Sequence, residues 1–215
     1  MKRRAEAKRT RARVTYGMWL ITLLVPCGSS AAQSPQMIIR NAVDQAVAVL
    51  ENPAYQGDAQ FNARIEKVKD IVFPHIDASE FARRCLGAQW QKLNETQRQQ
   101  FIDLFTTLVE KSYGGMLDRY PKGVRFTYDQ ERIDGRYAQV DTRIQFPNQD
   151  KQVVVSYSLH QKDGTWLIYD VAVENISMVR NYRNQFQRIL NRSSFEDLVA
   201  AIRRKIQQLE SPPTS

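Results

Sequence analysis

Near residue 120 the apolar pattern of this chain changes period, and that change limits the fold more than any other feature. Before it, apolar residues recur every three to four positions, as on one face of a helix. After it they alternate, as on one face of a strand. Helices followed by consecutive strands give an α+β fold, with adjacent antiparallel strands and helices laid over one face.

Four helical segments precede the change. MIIRNAVDQAVAVL sets Ile39, Val43, Ala46, Val47 and Leu50 on one side, and Pro53 and Gly57 end it. Phe61, Ile65, Val68 and Val72 mark a second helix that stops before Pro74. Asp77-Ala-Ser-Glu80 has the form of a capping box and opens a short helix with Phe81, Cys85 and Leu86 inward. Asn94-Glu-Thr-Gln97 repeats the signal before a long helix reaching towards Tyr120. Its inner stripe is Phe101, Leu104, Phe105, Leu108, Ser112, Tyr113, Met116 and Tyr120. Gly114-Gly115 weakens or bends this helix, at about 1 kcal/mol per glycine against alanine.

Four strands then follow in VRFTY, YAQVDTRIQF, KQVVVSYSLH and TWLIYDVAV, with turns at Asp134-Gly135, PNQD and Asp163-Gly164. Two terminal helices are expected. One spans Met178–Leu190, and another begins at Ser193 or Ser194 and carries Leu198, Ile202, Ile206 and Leu209. The expected architecture is a curved antiparallel sheet of about four strands, closed into a cone by N- and C-terminal helices. A cone of that kind encloses an apolar pocket.

The amino terminus has another character. A Lys- and Arg-rich stretch precedes the apolar run MWLITLLVPC and the small residues GSSAAQ, the three parts of a secretory signal peptide. Ten apolar residues are too few to span a bilayer, which takes about 20. Ser30 and Ala32 place cleavage after Ala32, and Pro26 makes Cys27 a poor lipidation site. The expected organisation is therefore a signal peptide at 1–32, one domain at 33–210 and a loose tail at 211–215. Residues 1–32 hold seven basic and one acidic side chains, so +6 of the formal +8 leaves with them. The remaining near-neutral chain argues against a nucleic-acid surface. Only Cys85 is left after cleavage, which precludes an internal disulfide and reads as a buried, inert thiol.

Catalytic patterns are missing. His75 and His160 form no metal-ligand pair, and no nucleophile elbow, phosphate loop or dinucleotide fingerprint is present. The carboxylates Asp141, Asp170 and Glu174 are the acid–base candidates. At a sheet-to-helix junction they read first as caps for helix amides or partners for Arg180 or Arg183.

Several of these stretches together resemble the MlaC family. They are Leu86-Gly87 with Trp90; Gln97-Arg98 and Phe101; Tyr113-Gly114; and the terminal set Tyr169, Asp170, Glu174, Ser177 and Met178. The likeness covers roughly residues 36–209. It implies a soluble periplasmic carrier with a nuclear-transport-factor-like cone. Such a carrier passes phospholipid between an outer-membrane lipoprotein complex and an inner-membrane ABC transporter complex, through transient contacts and without a cofactor. The family commonly has glycine after the glutamate of its last motif. Asn175 stands there instead, a residue that tolerates left-handed backbone. Under this resemblance the lining candidates are Phe101, Phe105, Tyr113 and Met116 on the long helix. From the strands come Val140, Ile144, Val155, Tyr157 and Ile168. Arg180 and Arg183 are candidates for head-group or partner contacts. A hopanoid carrier, or a small hydrolase or isomerase in the same cone, is the alternative.

Overall fold

The computed structural model describes residues 33–118, 120–147 and 149–211. The expected signal segment at 1–32, and the tail beyond Ser211, lie outside the described residues. Among them no helix is long and apolar enough to cross a membrane.

Three helices begin at the capping signals read from the sequence, at Asp77, Asn94 and Ser194. Pro35–Glu51 (α1) starts at Ser34, whose side chain accepts the amide of Met37. Phe61–Val72 (α2) follows after two short 3₁₀ turns. Ala78–Leu86 (α3) is capped by Asp77. Glu95–Asp118 (α4) opens with a reciprocal pair: the Gln97 amide donates to Asn94 Oδ1 at 2.9 Å and the Asn94 amide to Gln97 Oε1 at 3.1 Å. It runs through Gly114-Gly115 as one helix. Met178–Leu190 (α5) and Phe195–Glu210 (α6) close the chain, the latter behind a complete capping box of Ser194 and Asp197.

The sheet has six antiparallel strands rather than about four. The expected four are Arg125–Tyr128 (β1), Tyr137–Gln145 (β3), Gln152–Lys162 (β4) and Thr165–Val173 (β5). Two short ones are added, Arg132–Asp134 (β2) and Ile176–Ser177 (β6). They were missed because two or three residues carry too little alternation to read. The order is β1-β3-β4-β5-β6, with β2 also on β3. A bulge between Ser158 and Leu159 shifts the register of β4 on β5, and a bulge adds local twist. Cross-strand partners share a face, so Val140 with Tyr157, Thr142 with Val155, and Leu159 with Ile168 form the inner, apolar surface.

Three buried clusters result; the smallest is Ala46 and Leu50 of α1 with Val68 of α2, and two are larger. One is helical and aromatic: Phe101 is stacked on Phe105, meets the edge of Phe186, and lies 6.3 Å from the Phe195 ring. The other lies between α1 and the sheet, where Ile38 and Ile39 pack on Val140, Leu159, Trp166 and Ile168. The long helix therefore covers α3, α5 and α6, and α1 supplies the cover of the sheet.

Asp77 ties the helical layer to the sheet. Its amide donates to the Ile168 carbonyl at 2.9 Å. One carboxylate oxygen accepts the Glu80 amide at 2.9 Å, and the other meets Lys162 Nζ at 3.0 Å and His160 Nε2 at 3.1 Å. Burial pushes this carboxyl up. The Glu80 amide, Lys162 and His160 outweigh burial and hold it below its ordinary 3.8. A depressed folded-state pKa contributes stability that is present above the unfolded value and lost as pH falls through the folded one. Asp77→Asn retains an amide-accepting oxygen but no charge. It should cost about 1–2 kcal/mol at pH 7 and show a smaller loss between pH 7 and pH 3 than the parent. Urea unfolding at both pH values checks this.

The β5–β6 turn answers the question raised by Asn175. Glu174 and Asn175 both have positive φ, 49° and 65°, the pairing of a two-residue hairpin turn. Asn175→Val should cost about 1–2 kcal/mol, because a β-branched residue is poor in this region. Asn175→Gly should leave stability unchanged or raised. Thermal unfolding of the two variants distinguishes these outcomes.

Candidate functional site

The inner face of α1 is built from small and β-branched residues. Ala42 and Ala46 are buried there at 7% and 9% exposure, beside Val43 and Val47. Short side chains cannot fill the distance to the sheet, and a cavity of about 460 Å³ remains. Val68 and Val72 of α2 and His75 beyond it wall one side. Leu117, Tyr120 and Pro121 close it where α4 ends, and Val124, Phe126, Ile144, Phe146, Tyr157 and Ile168 line the sheet side. Among the described residues no lysine, arginine, aspartate or glutamate lines it. A separate void beside Phe81 and Phe105 holds only about 40 Å³.

Two phenols on this wall are held in the neutral form. Burial pushes the Tyr157 phenol up, against the effect of its hydrogen bond with the Thr142 side chain. Burial, and then the Glu51 carboxylate, push Tyr120 up to about 12. The wall offers a long apolar ligand contact area, and among the described residues it offers an anion no lysine or arginine.

Comparison with known proteins now decides the family. The MlaC protein family matches residues 40–204 of the chain. The chain belongs to the MlaC family. One similar MlaC relative is the intermembrane phospholipid transport system binding protein MlaC of Haemophilus influenzae, 21% identical over 90% of each chain. The toluene tolerance protein ttg2D of Pseudomonas putida is 24% identical over 82% of each. A phospholipid-binding protein of Ralstonia solanacearum, solved in complex with a phospholipid, shares the fold with a TM-score of 0.73 at 21% identity. That match covers 83% of this chain and 100% of the other.

Within this MlaC fold the expected lining residues divide. Ile144, Tyr157 and Ile168 lie on the cavity wall. Val140 and Val155 share their sheet face and are buried, but Val140 packs against α1 in the sheet core and neither lines the cavity. Phe101 and Phe105 lie in the helical core, with Tyr113 packed against its margin. The reason is topological: α5 and α6 bring Tyr182, Phe186 and Phe195 onto the aromatic stripe of α4. The side chain of Met116 lies outside the described residues.

Arg180 and Arg183 are exposed on α5 and do not line the cavity. Arg183 Nε donates to the Arg84 carbonyl at 2.7 Å, which holds α5 to α3.

The acid–base candidates have structural partners. Asp170 accepts from the Ser177 hydroxyl and, at 3.0 Å, from the Val179 amide, fixing the entry to α5. Asp141 pairs with Arg132 at 2.6 Å and accepts from Gln139 at 2.8 Å. Glu174 accepts the Val154 amide at 2.8 Å and pairs with Lys151 at 3.1 Å. Cys85 is buried, and burial pushes its thiol well up, so it is unreactive. Among the described residues no cluster of three His, Cys, Asp or Glu side chains could hold a metal ion.

Proposed function

We propose that the protein is an exported, non-catalytic carrier that holds a phospholipid by its tail in the cavity between α1 and the sheet. The observation that carries this reading is the roughly 460 Å³ apolar cavity, with no Lys, Arg, Asp or Glu among the described residues of its wall. The names of the H. influenzae and P. putida relatives and the phospholipid in the R. solanacearum complex support it.

The size of the cavity sets its capacity. A methylene is close in size to a water molecule, whose share of liquid volume is about 30 Å³, so the space takes about 15 methylenes. That is one acyl chain. At about 0.8 kcal/mol per methylene, burying it is worth about 12 kcal/mol relative to water. A tail leaving a bilayer gives up a similar burial, so exchange between membrane and carrier is nearly balanced and reversible. A second tail of equal length needs the walls to separate.

On this reading residues 1–32 direct the chain to the periplasm and are cleaved, leaving the domain at 33–210. The carrier shuttles between an outer-membrane lipoprotein complex and an inner-membrane ABC transporter complex. Its bulged sheet forms part of a nuclear-transport-factor-like cone. The exposed Arg180 and Arg183 serve docking or the lipid head group. Native mass spectrometry of the mature protein, followed by denaturation and lipid analysis, tests the proposal. A phospholipid at about one per chain is expected. Protein that remains lipid-free after incubation with membranes overturns it.

A further inference from the structure

The lower end of the cavity carries a feature that apolar tail burial does not use. Tyr120 lines the wall beside Leu117 and Pro121. Its hydroxyl is buried and has no hydrogen-bond partner among the described residues. An unpaired buried hydroxyl costs about 1–3 kcal/mol, so its retention on a largely apolar wall calls for an acceptor. The Tyr157 hydroxyl differs, because Thr142 satisfies it.

The surroundings select the acceptor. Tyr120 remains a protonated donor at physiological pH, since burial and the Glu51 carboxylate oppose its ionisation. That carboxylate also repels an anion, and among the described residues no lysine or arginine lines the cavity to receive one. A phosphate would be buried there without a partner, at high cost. The neutral acceptor that accompanies an acyl tail is the carbonyl of its ester.

Resting on the carrier reading above, we infer that Tyr120 donates a hydrogen bond to an acyl ester carbonyl of the bound glycerolipid. It is thus a specificity-determining residue for ester-linked over ether-linked tails. An ether oxygen is a much weaker acceptor, and the ether analogue lacks the carbonyl altogether.

The test compares dipalmitoyl phosphatidylglycerol with its dihexadecyl ether analogue, each competing a fluorescent-tailed lipid from delipidated protein. The parent should favour the ester lipid by about threefold to tenfold, the worth of one buried neutral hydrogen bond. Tyr120→Phe should bind the ether lipid as the parent does, or better, and lose the preference. The ether lipid thereby reports on folding of the variant. Equal binding of both lipids by the parent overturns the inference and leaves the carrier reading intact. So does an equal loss for both lipids in Tyr120→Phe. Failure of the parent to bind either lipid overturns both.

Discussion

The double variant Ala42→Phe, Ala46→Phe is expected to lose stoichiometric lipid while keeping its fold. Both alanines face the cavity from α1, and each substitution places a six-carbon ring where tail methylenes would otherwise lie. Displacing even four methylenes, at about 0.8 kcal/mol each, weakens binding about two-hundredfold. The rings enter existing space, so unfolding stability should be unchanged or higher, as for cavity filling in general. Lipid per chain by native mass spectrometry and a thermal melt give the two readouts. A variant that melts like the parent yet still carries one lipid would place the cargo outside this cavity.

The reverse pattern is expected for Phe101→Ala. Phe101 is 0% exposed and touches three aromatic rings in the helical core. Its truncation should cost about 3–5 kcal/mol, the usual range for a buried phenylalanine. That is a large part of the 5–15 kcal/mol typical of a domain. The fraction still folded should carry lipid at the parent's stoichiometry, because the ring stands apart from the cavity. Ile144→Ala is the matched control on the cavity wall. Because Ile144 is only half-buried, the change should cost about 2 kcal/mol in stability, the low end of the range for isoleucine truncation, and weaken lipid binding more than Phe101→Ala does. Urea titration of both variants, with lipid analysis of the folded protein, separates core from lining.

The two variants also show where sequence reasoning succeeds. Capping signals at Asp77, Asn94 and Ser194 are local, and each marks a helix start in the structure. Alternation over nine to eleven residues marks β3, β4 and β5 equally well. Apolar stripes, however, say that a face is covered without saying by what. The stripe of Phe101 and Phe105 met α5 and α6, which are remote in sequence. The stripe of α1 met the cavity. Its signal was present in Ala42, Ala46 and Val47, since a covered face made of small residues leaves space where a face of aromatic residues fills it. Tyr120 is legible as the last member of the long helix's stripe, although it reaches the wall just beyond the helix end. His75 gives no comparable sign, because it enters from a turn where periodicity carries no information.

The separation of the two larger cores bears on the protein between journeys. The aromatic helical core is complete without the α1–sheet layer, and no residue of the cavity wall belongs to its buried members. Unloading therefore removes support from α1 and the inner sheet face while the helices remain packed. Amide hydrogen exchange in α1 should quicken when the protein is emptied, and exchange in α5 and α6 should hardly respond. An empty molecule keeps its scaffold intact as it waits, so reloading needs only local re-ordering of α1 and not a fresh act of folding.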